Sequence, residues 1–131
     1  MTILITIAAT LSAAIHVLIF YWESLAWTRP AVWKRFGLLS AEDAETTKVF
    51  AYNQGFYNLF LAIGALIGSI LYGLGATDAG FALGLFSVSC MFAAAIVLLT
   101  SGPGRLRAAA VQGVFPLLTI VLYIASRVTE S

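Results

Sequence analysis

The sequence predicts an all-α fold: a four-transmembrane-helix antiparallel bundle with an interfacial segment in the first loop. Three observations predict it. Hydrophobic residues fill 61% of the 131 positions and charged residues only 10%, against roughly one quarter charged in a soluble domain. The mean hydropathy is +0.97, too high for so small a chain to hide its apolar surface in a soluble core. The apolar residues also fall into four runs, approximately 3–27, 50–73, 79–100 and 108–126, each meeting the roughly 17–25 residues that a membrane crossing needs. Residues 1–131 therefore read as a single integral membrane domain whose surroundings are the lipid bilayer.

The first run is apolar and rich in small residues, as a secretory signal is, but it lacks a basic start and continues to Trp27. A retained first span is expected. The connection over 28–49 interleaves Trp33, Phe36, Leu38 and Leu39 with Lys34 and Arg35, the pattern of a segment lying at the headgroups. Ser40 followed by Glu42, Asp43 and Glu45 reads as an N-cap with acids in the first turn. A helix should therefore start near Ala41 and run unbroken into the second span. Gly73 and Gly75 end that span, and Gly102, Pro103 and Gly104 separate the third from the fourth. Gly64 and Gly68 on span two, with Gly80 and Gly84 on span three, are small-xxx-small pairs that predict close antiparallel packing. Pro116, with Gly113 before it, predicts a bend in span four and frees the carbonyl of Gln112.

Arg29, Lys34, Arg35 and Lys48 lie in the first loop and Arg105 and Arg107 in the third, leaving Arg127 for the opposite side. The excess of basic residues marks the cytoplasmic face, so a multi-pass cell-membrane protein with both termini extracytoplasmic is expected. A net charge of +1 with no basic run gives no reason to expect nucleic acid. One cysteine excludes an intrachain disulfide, and one histidine with one nearby carboxyl falls short of a metal site. No cofactor is called for.

Polar residues inside the spans point to a site. Glu23 lies roughly 6 Å inside the first span if Trp27 marks its edge, and His16 lies roughly 16 Å in. Counted from the same side, Asn53 and Gln54 enter to about 5–6 Å, Asn58 to about 12 Å and Gln112 to about 6 Å. Three spans thus bring carboxyl and amide groups to one level, with His16 and Asn58 beneath. His16 and Glu23 are seven apart and share a helix face with Trp27; Gln54 shares faces with Tyr57 and Asn58. Amides facing lipid would lack partners, so these faces are expected to turn inward. An ionisable group in a span is a functional-site hypothesis by default.

The segments H-V-L-I-F-Y-W-E-S-L-A-W (16–27), T-K-V-F-A-Y-N-Q-G-F-Y-N (47–58) and V-Q-G-V-F-P (111–116) carry a resemblance. They are similar to those of a family of small four-span membrane proteins known as domain of unknown function thirteen-oh-four. The resemblance implies a four-helix membrane protein whose marked positions here are His16, Glu23, Trp27, Asn53, Gln54, Gly55, Tyr57, Asn58 and Gln112. It implies no reaction.

Three functions fit these residues. In the first, a lipophilic small molecule is bound or converted by proton transfer, as in isomerisation, cyclisation or epoxide opening. Glu23 and His16 are then the catalytic pair, and Asn53, Gln54, Tyr57, Asn58, Gln112 and Trp27 bind the ligand. In the second, a small solute, ion or proton is carried, which for four short helices calls for a homo-oligomer. In the third, the polar residues form a hydrogen-bond network that fixes helix packing.

Overall fold

The computed structural model describes residues 1–130, without the side chain of Glu130. Helix α1 covers Thr2–Phe20 and opens into one π-helical turn, Tyr21–Leu25. A short α2, Pro30–Trp33, and a 3-10 turn, Lys34–Phe36, occupy the first connection. Three long helices follow: α3 over Ala41–Gly73, α4 over Thr77–Thr100 and α5 over Leu106–Glu130. Four helices are long and apolar enough to cross a membrane, Thr2–Leu25, Ala41–Gly73, Thr77–Thr100 and Leu106–Thr129, as a multi-pass membrane protein requires. They form an all-α bundle in which α3 packs on α1 and α4, and α5 closes the ring between α4 and α1.

The start of α3 follows the sequence rule. Ser40 is extended, and its Oγ accepts from the Asp43 backbone N–H at 3.1 Å, leaving Glu42 and Asp43 in the positive first turn. The helix then runs 33 residues without interruption. Its buried face is a stripe of mostly small residues, Ala51, Gly55, Asn58, Ala62, Ala65, Ser69 and Tyr72, alternating in steps of four and three. Ala62 and Ala65 meet Ala13 of α1 and Val88 and Met91 of α4 in the central core.

The helix contacts are set by glycine. A Cβ on Gly68 would land on the backbone of Gly84, and one on Gly80 would land on the backbone of Tyr72, so α3 and α4 touch main chain to main chain there. One turn further, a Cβ on Gly64 would collide with the Ser87 hydroxyl and otherwise meet the Ser87 Cβ at 3.4 Å and a Leu83 methyl at 3.9 Å. On the other side of the ring a Cβ on Gly113 would come within 2.9 Å of the Ala95 Cβ, closing α5 on α4. Pro116 is buried inside α5, which continues through it as one helix, so the expected bend does not break the element. At the end distant from the first loop, Tyr72 Oη donates to Ser126 Oγ at 2.8 Å and its ring meets Tyr123 edge-on. Arg127 pairs with Asp78 beside them.

The first span ends earlier than expected. The Ala26 N–H bonds the Tyr21 carbonyl, five residues back, and the helix stops, so Trp27 belongs to the connection and not to the span. Its indole N–H donates to the Ala44 carbonyl at 3.1 Å and faces Thr47 Oγ1 at 3.2 Å, while its ring tilts against Phe36 at 4.8 Å. Trp33 and Val32 are buried, and Arg35 stacks on Trp22 at 5.0 Å. The interfacial segment is thus folded back against the bundle with Trp27 as its clamp.

Two results are expected. Gly68→Ala should lower stability by about 1–3 kcal/mol through overpacking, because backbone cannot yield, whereas Gly64→Ala should cost less, because the Ser87 hydroxyl can rotate away. Thermal unfolding in detergent compares the pair. Trp27→Phe, which keeps the ring and removes the N–H, should cost about 0.5–1.5 kcal/mol. Amide hydrogen exchange should then rise across residues 28–40 while the four long helices keep their protection.

Candidate functional site

Glu23 sits in the π turn, the one place where α1 departs from regular geometry. The wide turn and the facing glycine work together. Gly55 of α3 lies against Ser24, whose backbone nitrogen would be 3.0 Å from an added Cβ, and against Glu23, whose own Cβ would be 3.1 Å away. Ser24 Oγ donates to the Tyr52 carbonyl at 2.8 Å, which fixes the π turn on α3. This close approach drops the Glu23 side chain beside Asn58, one turn along α3.

Glu23 is 4% exposed and Asn58 is 7% exposed. The Asn58 amide nitrogen donates to Glu23 Oε2 at 2.8 Å and to the Gln54 carbonyl at 3.2 Å. A carbonyl can only accept, so the second bond fixes which end of the amide is nitrogen, and both its N–H groups are used. Among the described residues Glu23 forms no ion pair, and its other oxygen takes no hydrogen bond. The result is a buried carboxyl group held by a single neutral donor from the neighbouring helix.

His16 lies two turns further along α1 and is fully buried. Its Nδ1 is 2.8 Å from the Ser12 carbonyl, so Nδ1 carries the hydrogen and donates. Nε2 is buried and has no hydrogen-bond partner among the described residues. Beneath it Ser12 and Thr119 bring α1 against α5, their hydroxyl oxygens 3.4 Å apart. A cavity of about 320 Å³ opens next to the site, walled by Glu23, Ser24, Leu25, Trp27, Thr28, Lys48, Val49 and Tyr52. His16 is not part of that wall.

The amide level foreseen from the sequence comes together only in part. Glu23 and Asn58 meet, but Asn53, Gln54 and Tyr57 are exposed on α3, which corrects the expectation that their faces turn inward. The reason is rotational. The stripe of Ala51, Gly55, Ala62 and Ala65 lets α1 approach closely, and that packing directs Asn58 to the core and its polar neighbours away from it. Gln54 contributes its backbone carbonyl instead of its side chain. Gln112 is half-buried and bonds to neither Glu23 nor Asn58. Trp27 borders the cavity and ties down the loop.

Sequence reasoning passed over Ser24, which joins α1 to α3; a small residue adjacent to Glu23 and facing a glycine block was its one signal. It also passed over the Tyr72, Tyr123 and Ser126 cluster. A hydroxyl-bearing residue on an apolar helix does not announce its partner, and these three lie on two helices more than fifty positions apart.

No curated protein and no solved structure matches the chain. The family model described as "Protein of unknown function (DUF1304)" matches residues 10–124, which contain Glu23, Asn58 and every other candidate residue, and the chain belongs to that family.

Proposed function

We propose that the protein binds a lipophilic small molecule at Glu23 and exchanges a proton with it. The observation that carries this reading is the state of the carboxyl group: buried, held through one oxygen by Asn58 and, among the described residues, in no ion pair and unengaged through the other. A group retained only for packing gains most when every lone pair is filled. Here the arrangement leaves an acceptor, or a donor when protonated, for something that the protein does not supply.

The division of labour follows. Glu23 is the general acid or base, and Asn58 is a positioning residue that keeps Oε2 fixed so that Oε1 addresses the ligand. The cavity past Ser24, Thr28, Trp27 and Lys48 connects the carboxyl group with the outer end of the helix pair, where protons can be exchanged with water. His16, one layer deeper, is a second proton carrier through the unpartnered Nε2. Isomerisation, cyclisation and epoxide opening all turn on such a proton, delivered where water is scarce. The basic end of the bundle, bearing Arg29, Lys34, Arg35, Lys48, Arg105 and Arg107, faces the cytoplasm on this reading, and residues 1–131 act as one integral membrane domain.

Glu23→Gln keeps an oxygen for the Asn58 donor and removes the exchangeable proton. It should leave stability within about 1 kcal/mol and abolish retention of the ligand. Asn58→Leu strands the carboxyl group and should cost about 1–3 kcal/mol. The test is native mass spectrometry of protein extracted from its own membranes, wild type beside Glu23→Gln, with thermal unfolding of both. A lipophilic molecule held by wild type and lost from the variant is the expected result. A variant that unfolds early while wild type carries no molecule would return these residues to a packing role.

A further inference from the structure

The seam between α4 and α5 holds a second cavity, of about 170 Å³, which shares no wall with the one beside Glu23. It exists because the facing positions are small. Ala95 on α4 and Ala109 and Gly113 on α5 are buried where the helices meet, and a Cβ on Gly113 would come within 2.9 Å of the Ala95 Cβ. Larger side chains stand up on either side of that floor, Ile96 and Leu99 from α4, Leu106 and Leu117 from α5, and they remain exposed. No side chain in the wall carries a polar atom.

The groove runs lengthwise along the pair. Leu106 and Leu117 are eleven positions apart on α5, roughly 16 Å, which is about half of a hydrocarbon core of roughly 30 Å. It starts in the first turn of α5, at the basic end of the bundle, and stops near the middle of that helix. Its depth is that of one leaflet.

Charge marks the same end. Arg105 and Arg107 flank Leu106 in the sequence. Arg105 Nη1 donates to the Phe36 carbonyl at 3.5 Å, which draws it over the first loop. Arg107 is exposed and lies one turn before Ala110 and two turns before Val114, both in the groove wall, so it crowns the outer lip. It forms no ion pair among the described residues, and no acidic residue occurs in the sequence between Asp78 and Glu130.

We infer that the α4–α5 groove holds one acyl chain of an anionic phospholipid, drawn from the leaflet at the basic end, with its phosphate at Arg107. A narrow apolar slot one leaflet deep matches the tail, and a cation without a counter-ion at its head matches the phosphate. A second copy of the chain is the poorer occupant. A twofold dimer through this face would set Arg107 against the same acid-free surface of its partner. The site is one of lipid attachment and is independent of the reading of Glu23.

The test is native mass spectrometry of the full chain released from nanodiscs that hold phosphatidylglycerol and phosphatidylcholine in equal amounts, with the same acyl chains. Wild type should retain phosphatidylglycerol in preference. Arg107→Gln should lower that preference about fivefold, the factor that one basic residue contributes beside an anionic surface. Lys34→Gln, which changes an exposed basic residue outside the groove, should leave it unchanged. Ala110→Phe fills the slot from an exposed position and should remove the retained phosphatidylglycerol, with thermal unfolding at the wild-type midpoint. Arg107→Gln alters only an exposed side chain, so it reports even where Ala110→Phe does not fold. Equal retention of the two lipids by wild type would overturn the inference, as would a preference that survives Arg107→Gln or a folded Ala110→Phe. A loss in Lys34→Gln as large as in Arg107→Gln would reduce the effect to diffuse attraction at the basic face and overturn it too. A lipid-free dimer would overturn it in favour of a second copy.

Discussion

The seating of α1 on the small-residue stripe of α3 governs the rest of this molecule. Gly55 admits the π turn to the backbone of its neighbour, and Ala51, Ala62 and Ala65 keep the same close spacing along the helix. With α1 held so near, α3 has one rotation available, and that rotation presents Asn58 to Glu23. In a bilayer no hydrophobic force drives helices together, so close van der Waals fit and interhelical hydrogen bonds carry association. The seam supplies both. The polar contact is thus a consequence of packing, made possible by residues that have no chemistry of their own.

The same logic separates the ends of the bundle. Away from the first loop, glycines on α3 and α4 bring main chains together, while Tyr72, Tyr123 and Ser126 fill the remaining space with hydroxyl contacts and edge-on rings. Toward the first loop, Leu61 and Tyr57 take the place of glycine on the same stripe, Leu61 packed on the core with Val88 and Met91 and Tyr57 exposed. The end nearer the first loop instead keeps a cavity of about 320 Å³ between the π turn and α3.

Most of the architecture was legible because it depends on length and local chemistry. Four apolar runs of spanning length, Ser40 with acids behind it, and the glycine pairs on spans two and three each correspond to a feature of the structure. Glu23 and Asn58 were legible as polar groups at related depths, although not as partners. What was missed depends on rotation. Spacings of three and four could say that Gln54, Tyr57 and Asn58 lie near one side of α3, but a turn of the helix by one residue separates a core position from an exposed one. The small residues between them, and not the amides, decided it. The extent of span one was misjudged for a related reason: a tryptophan at an apolar boundary reads as the end of a helix, and nothing in its type reveals that it has already left the helix to bond Ala44.

The π turn over Tyr21–Leu25 has a further consequence. Five residues complete a circuit that regular helix completes in fewer, so the segment behaves as an α-helix carrying one surplus residue. Everything after it is phase-shifted relative to His16, and that offset swings Ala26 and Trp27 across the top of α3. Shorten this stretch by a single amino acid and the circuit tightens, the carboxyl side chain sweeps round with it, and the connecting peptide departs on another bearing. Chain length in these five positions, more than side-chain identity, is what aims both the acid and the loop.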